Sequence, residues 1–355
     1  MFHGGSNFGF DNDNDLGASY DYGAPVGEAG DLRPSYCSFK RAAQLATTFP
    51  EIFANSNNAD KEFANIAADN RLKVHARRSA AGAFVFLENE DSAAITTTLK
   101  DGGSTTVPPH RLAAAVKELR LTPDITLDWS TTAILGQLQQ GAVHTIIMYG
   151  RIGEKVNSRF RSKTLGFTAK SFNEVKFVVD GNLVQLQTTI DLASPQRFEI
   201  STATGTLRIL VMSDALADKT FFVATPTPAQ NLIVHGFDFV GDVAWKGKTL
   251  QVNAESPVNT NTAKEAVGAW GETGPLTLKF NELKRQIVNV LPTKGWQFQK
   301  ASEPRKGPWP SSTAPLAMGA DGDTSAQRHK PRRFQSGRSA PPVLKPPALR
   351  ILQKL

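Results

Sequence analysis

The sequence predicts a mainly β protein that begins with one strand–loop–helix unit and ends in a basic tail. Short apolar runs separated by turn residues extend from about position 63 to position 291. A helical spacing of apolar residues precedes them, between positions 31 and 49. The last segment, after position 326, carries eight Lys/Arg and no Asp/Glu. At 355 residues the chain is long enough for two or three domains.

Residues 1–46 have the pattern of a βα unit. MFHGGSNFGF is typical of a strand end that leads into a glycine-rich loop, and a polar loop follows. In the next segment Tyr36, Phe39 and Leu45 lie near one helical face, with Pro34 acceptable in the first turn. A strand, a long loop and a helix form the repeat of a (β/α)₈ barrel, so we expect one such unit here.

Residues 47–290 are predicted to form two antiparallel β-sandwich domains, 47–145 and 146–290, with a short helical insertion near 213–221. Turns such as Asp180-Gly181-Asn182 separate the strands. The clearest strand candidates cover positions 82–87, 125–129, 143–149, 174–179, 183–189, 207–212 and 231–239.

The formal net charge of +7 comes from the end of the chain. Without the eight basic residues after position 326, 32 Lys/Arg face 33 Asp/Glu, so the predicted folded part is close to neutral and does not indicate nucleic-acid binding. Five prolines and no apolar periodicity predict a disordered tail at 327–355.

Several classes of protein are disfavoured by simple features of the sequence. The single cysteine, Cys37, excludes an internal disulfide framework and a multi-cysteine metal site. No run of about 18 apolar residues predicts a membrane-spanning helix. The first residues lack the basic and apolar regions of a signal peptide, and neither a compartment nor an oligomeric state is indicated.

Two segments resemble glycoside hydrolase family 35, the β-galactosidase family. FHGGSNFGF followed by SYDYGAPVGEAGDL, within positions 2–32, is similar to the family's GGTNFG-type loop and SYDYDAP motif, with Gly23 where the family usually has aspartate. LAMGADGDTSA, at positions 316–326, resembles the entry into a jelly-roll domain. The resemblance covers roughly residues 1–326. It implies that residues 1–46 are the C-terminal remnant of the TIM-barrel catalytic domain and that 291–326 form a linker and the start of a jelly roll. It also implies a family member truncated at both ends.

The change after position 326 has a simple interpretation under this resemblance. The family usually continues into an aromatic strand, whereas this chain continues as QRHKPRRFQ with uncompensated positive charge. We therefore expect residues 327–355 to be a frame-shifted translation. Flanking DNA that restores the jelly-roll sequence after a one- or two-base shift would support this expectation.

The resemblance implies hydrolysis of terminal non-reducing β-D-galactose residues by a retaining mechanism with two glutamates, which needs no cofactor. Both glutamates belong to earlier barrel strands, so no residue of this chain is assigned a catalytic role and the chain is expected to be inactive alone. Tyr22, the second tyrosine of the motif, is the one expected substrate-binding residue. Asp21 and Glu28 are assigned structural positions, and Tyr20 is expected to pack.

Other polar motifs have plainer interpretations. Gly4 and Gly5 form neither a GxGxxG motif nor a Walker loop, and His3 is expected to pack or to form a hydrogen bond. Asp11, Asp13 and Asp15 begin like a calcium loop, but the sixth and twelfth positions lack Gly and Glu. Asp321 and Asp323 match a family turn and bring no further ligands. No metal site is predicted, and Trp129, Trp245 and Trp296 are expected in sandwich cores.

Two other functions remain open at this stage. The chain could be a non-catalytic carbohydrate-binding β-sandwich protein that retains one barrel unit. Alternatively, the basic tail could be an arm for nucleic acid or an anionic surface. In the complete enzyme the expected partner is a β-galactoside or a galactose-containing glycan, with no nucleic acid and no membrane.

Overall fold

The computed structural model of the protein describes residues 23–27, 30–100, 103–173, 175–191, 194–255 and 267–283. Strands hold 54% of these residues and helices 12%, which confirms the prediction of a mainly β chain. The chain divides into two compact units, 1–289 and 290–355, and every described residue belongs to the first. The predicted N-terminal strand, the predicted jelly-roll start and the basic tail lie outside the described residues.

The described helices are few and mostly short. Helix α1 begins with a proline that has no N–H to leave unpaired, and it confirms the helix predicted between positions 31 and 49. The helix predicted near 213–221 is also present, and its Ser213 cap accepts a hydrogen bond from the Leu216 N–H. The helices are α1 (Pro34–Thr48), α2 (Pro50–Phe53), α3 (Asp60–Phe63) and α4 (Asp214–Asp218), with a 3₁₀ turn at Pro228–Gln230.

The strands account for most of the remaining described chain. In chain order they are β1 (Asn57–Asn58), β2 (Lys73–Ser79), β3 (Gly82–Asn89), β4 (Ile95–Thr98), β5 (Ser104–Val107), β6 (Arg111–Arg120), β7 (Ile125–Ser130), β8 (Ala133–Gln140), β9 (Val143–Gly150), β10 (Ser158–Ser162), β11 (Thr168–Ser171), β12 (Phe177–Asp180), β13 (Leu183–Leu186), β14 (Gln196–Thr202), β15 (Gly205–Ser213), β16 (Thr220–Val223), β17 (Leu232–His235), β18 (Phe239–Lys246), β19 (Thr249–Glu255), β20 (Gly268–Gly271), β21 (Gly274–Pro275) and β22 (Leu278–Glu282).

These strands form open sheets, and none of the sheets built from described residues closes into a barrel. The largest has the order β1-β2-β3-β6-β7-β10-β13-β12. The second has the order β11-β14-β15-β9-β8, the third β16-β17-β20-β21 and the fourth β18-β19-β22, while β4 and β5 form a hairpin. The largest sheet contains strands from both sides of position 145.

The sequence predicted antiparallel sheets, but two strand pairs are parallel. Strand β9 pairs with β15 in parallel over eight residue pairs, and β19 pairs with β22 in parallel over five. A parallel pair needs a crossover connection, and between β9 and β15 that connection contains β10 to β14. The chain therefore alternates between the two sheets: β10, β12 and β13 extend the first, while β11 and β14 belong to the second.

Strand β15 shows how the second sheet is held on both faces. Leu207, Ile209 and Val211 point into the core shared with the first sheet, while Leu210 and Met212 point into a core shared with the third sheet. All five are essentially inaccessible to solvent. Since full burial of such a side chain contributes roughly 1.5–3 kcal/mol, this strand is a main element of stability.

The tryptophans divide between core and surface. Trp129 is 4% exposed, which confirms its predicted core position. Trp245 is 43% exposed, so its predicted core position is wrong: it lies near the end of β18, an edge strand of a three-stranded sheet, and no neighbour in the described ranges buries it. Trp296 lies outside the described residues.

Candidate functional site

The predicted sugar-contact residue Tyr22 lies outside the described residues, as do Asp21, Tyr20, Glu28 and His3. The described structure begins at Gly23, the position that departs from the family motif. Gly23 is exposed, has a φ of +68° and has open space where a Cβ would lie. Glycine adopts this left-handed conformation without steric strain, whereas aspartate adopts it at a modest cost in free energy.

The segment that follows the motif is a closed loop. Val26 forms an antiparallel bridge with Leu32, and the Gly27 N–H donates to the Asp31 carbonyl at 2.8 Å. The Arg33 N–H donates to the Pro25 carbonyl at 3.0 Å. Ala24 at the base of this loop is buried. The chain immediately after Tyr22 is therefore anchored directly to the start of α1.

Helix α1 is attached to the β-rich body through polar groups. The Lys40 ammonium donates to the Asp218 carbonyl and lies 3.7 Å from the centre of the Phe221 ring. Arg41 Nε lies 3.1 Å from the Asp218 carboxylate, and Gln44 Nε2 donates to the Thr220 carbonyl at 3.1 Å. None of the fifteen residues of α1 is fully buried, and the predicted apolar face is only partly used because Phe39 is 36% exposed.

Burial controls the ionisation of this contact. It lowers the pKa of the Lys40 ammonium to about 8, although Asp218 partly opposes the shift. Burial also raises the pKa values of the Asp218 carboxyl and the Cys37 thiol. The Lys40 side chain therefore loses its proton more readily in the folded protein than in water.

This depressed pKa predicts a specific pH dependence. Between pH 8 and pH 10.5 the unfolded chain keeps the Lys40 proton longer than the folded chain, so this residue makes the free energy of unfolding rise with pH in that window. The gain is on the order of 1–3 kcal/mol. We expect Lys40→Met to remove that slope, measured by urea unfolding at several pH values.

The raised pKa of Cys37 acts in the opposite direction in both proteins, and loss of Lys40 raises it further, which widens the difference between the two curves in the expected direction. Arg41→Met is the control that keeps the lysine. Parallel curves for the wild type and Lys40→Met would show that the ammonium is solvated rather than buried.

A groove of about 430 Å³ opens between the second and third sheets. Phe172 lies at its rim and is 41% exposed, whereas Trp270 on β20 is 7% exposed and His235 on β17 is 3% exposed. The Trp270 Nε1–H donates to His235 Nε2 at 3.3 Å, so His235 presents an acceptor there. The Arg197 guanidinium lies 3.8 Å from the Phe172 ring centre.

A network of arginines supports the groove from within the protein. Arg197 Nη2 donates to Glu199 at 2.7 Å, and Arg208 Nε donates to the same carboxylate oxygen at 3.0 Å. Arg208 also donates to the Gly271 and Glu272 carbonyls, at 2.7 Å each. One carboxylate therefore serves two guanidinium groups, and Arg208 joins the second sheet to the turn between β20 and β21.

No group of His, Cys, Asp and Glu residues suited to a metal ion occurs among the described residues. The aspartates considered for calcium, at positions 11–15 and 321–323, lie outside them. No helix in the described part of the chain is long and apolar enough to cross a membrane.

No pattern in the sequence indicates the groove. Phe172, Arg197 and Trp270 belong to segments up to about a hundred residues apart, and none forms a motif with its sequence neighbours. Trp270 belongs to no motif, and of the tryptophans expected in cores the described ones, Trp129 and Trp245, are not among the residues that line the groove. The only available signal is the pair of glycines, Gly268 and Gly271, that flank this tryptophan.

Comparison with known proteins gives one match to a protein family. The family model described as Glycosyl hydrolases family 35 matches residues 1–46. The matched residues include the SYDYGAP motif, the closed loop and most of α1, so the match is consistent with a glycoside hydrolase. No curated protein sequence matches the chain.

Proposed function

We propose that this chain is part of a β-galactosidase-type glycoside hydrolase that acts on glycans with terminal non-reducing β-D-galactose. The observation that supports this proposal is the match of residues 1–46 to family 35. Under the proposal, these residues are the last βα unit of a catalytic (β/α)₈ barrel, and the β-rich body beyond Thr48 supports it. The start of a jelly roll at 291–326 belongs to the same proposal.

The division of chemical roles follows from the retaining mechanism. Two carboxyl groups about 5–5.5 Å apart must act as acid/base and as nucleophile. The resemblance assigns neither glutamate to a residue of this chain. It assigns Tyr22 to the sugar site, where a phenol can donate a hydrogen bond to a sugar hydroxyl. The polypeptide by itself is therefore proposed to bind galactosides weakly and to hydrolyse none.

Inactivity is tested with the purified polypeptide and nitrophenyl β-D-galactoside. We expect nitrophenol release no faster than in buffer. Hydrolysis that copurifies with the polypeptide and is lost on mutation of one of its own carboxylates would overturn this part of the proposal.

The family role is tested by complementation. A family 35 barrel polypeptide that carries both glutamates but lacks its last βα unit is mixed with this chain, and we expect hydrolysis to appear. Tyr22→Phe is expected to lower kcat/KM by about tenfold, because a sugar hydrogen bond is lost. Tyr20→Phe is the matched control and is expected to have little effect. Equal loss in both variants would contradict the role of Tyr22.

A second candidate function is non-catalytic carbohydrate binding. The groove beside Trp270 favours it, because a concave site with an apolar wall and a few polar groups is typical of small-molecule binding. This function does not require residues 1–46, so it survives if complementation fails.

A further inference from the structure

We propose that the groove between the second and third sheets binds an acidic sugar residue, a pyranoside whose carboxylate pairs with Arg197. The sugar assignment rests on the proposed function. The assignment of an anion rests on the charges and geometry of the groove alone.

The charge of the groove favours an anion. Among the described residues that line it, Arg197 is the one with a formal charge, and no Asp or Glu is among them. Lys170 adds a second cation near the rim, with its ammonium 4.7 Å from the Phe172 ring centre. Glu199, the carboxylate behind Arg197, is already shared with Arg208. Glu272 is a second carboxylate near Arg208, so the positive charge offered to a ligand is that of Arg197 at the groove lining.

One donor group of Arg197 is available for such a ligand. Its Nε and Nη2 both donate to Glu199, and its Nη1 donates to no described residue. The guanidinium is held in place by that carboxylate and by its stacking on Phe172. A donor that is fixed before binding costs little conformational entropy when it pairs with a carboxylate.

The rest of the groove suits a sugar ring. Trp270, Pro275 and Leu276 supply an apolar wall against which the C–H face of a pyranose can pack. Ser194 and Asn173 also line the groove, where the Asn173 side-chain amide donates to the Pro195 carbonyl and accepts from the Arg197 N–H and so holds this wall in place. The volume of about 430 Å³ lies within the usual range for ligand sites, roughly 300–1,000 Å³.

Two glycines keep the site clear of side chains. A Cβ at Gly268 would lie 2.7 Å from His235 Nε2, and a Cβ at Gly274 would lie 3.3 Å from Arg197 Nη1. Gly274 also has a φ of +123°, which residues with a side chain rarely adopt. Larger residues at these positions would crowd His235 or the guanidinium.

The proposal is tested by titrating the full chain with galacturonate, galactose or acetate, and binding is measured by NMR or calorimetry. We expect galacturonate to bind with a Kd in the millimolar range and galactose and acetate at least about tenfold more weakly. Added salt should weaken galacturonate binding.

Substitution at the groove mouth separates charge from folding. Val267 lines the groove and is 38% exposed, so Val267→Glu is expected to fold and to weaken galacturonate binding several-fold, while Val267→Lys does not weaken it. Leu112→Glu, at a 59% exposed position of β6, is the matched control and should leave the Kd unchanged. Arg197→Met is expected to abolish saturation.

Each alternative outcome is decisive. Equal affinity for galactose and galacturonate, or Val267→Glu without effect, would overturn the role of charge. Acetate binding as tightly as galacturonate would refute the assignment of a sugar ligand. Absence of saturation up to ~50 mM galacturonate would overturn the site as a whole. Failure of complementation with galacturonate binding intact would refute the proposed function and leave the anion site standing.

Discussion

Replacing Arg208 by methionine is expected to lower the free energy of unfolding by about 3–5 kcal/mol, the usual effect of removing one partner from a buried ionic network. Arg208 is the largest fully buried side chain among the described residues, and 1% of its surface is exposed. Methionine fills much of its volume but leaves the Gly271 and Glu272 carbonyls without their donors. The loss is measured by urea unfolding.

Two further variants show that geometry as well as charge matters. Arg208→Lys keeps a cation but cannot reach Glu199 and both carbonyls at once, so we expect an intermediate loss. Arg71→Met removes an arginine whose ion pair with Asp69 is exposed to solvent, and no resolvable change is expected. If Arg208→Met and Arg71→Met unfold at the same urea concentration, Arg208 does not hold the two sheets together.

The second large effect is expected at Gly82, the first residue of β3, where the chain leaves the tight β2–β3 turn. Gly82 has a φ of +137°, and a Cβ there would lie 2.6 Å from Leu119 Cα and 2.8 Å from the Glu118 carbonyl oxygen. Both contacts are with backbone, which cannot rotate away. Glu118 itself has a positive φ of 52°, so the facing strand is already strained. Gly82→Ala should therefore cost about 3 kcal/mol or more in unfolding free energy.

A matched glycine separates steric clash from backbone conformation. Gly181 in the β12–β13 turn has a φ of +57° and open space around its would-be Cβ, so Gly181→Ala should cost only about 1 kcal/mol. Thermal unfolding of the two variants measures the difference. Equal melting temperatures would mean that β6 moves away from Gly82 easily.

Much of the local structure was predictable from the sequence. Helix α1 and the Ser213-capped α4 follow from periodicity, Pro34 and a capping serine, which act within one or two turns. The turn at Gly181 follows from a left-handed position that glycine adopts freely. The resemblance of residues 1–46 was recognisable because its residues are contiguous, and the family model matches the same segment.

The contacts that attach α1 to the β-rich body were not predictable in the same way. Its apolar spacing indicated a buried face, yet Lys40, Arg41 and Gln44 reach the body through hydrogen bonds and an ion pair. Their partners, Asp218 and Thr220, are about 175 residues away, and helical periodicity contains no information about them. Long polar side chains can bury their stems and still place their ends on distant carbonyl groups.

By itself the sequence determined the β-rich class, the position of the main helix, the glycines that permit turns, and the family resemblance of the first 46 residues. Each depends on the conformational preference of a residue or on residues that are close along the chain. Only the tertiary structure decided the parallel pairing of β9 with β15, the burial of Arg208 and the groove beside Trp270. Strand patterns show which face is buried but not which strand is the neighbour, and a buried arginine is stable only where distant carbonyls and a carboxylate converge on it.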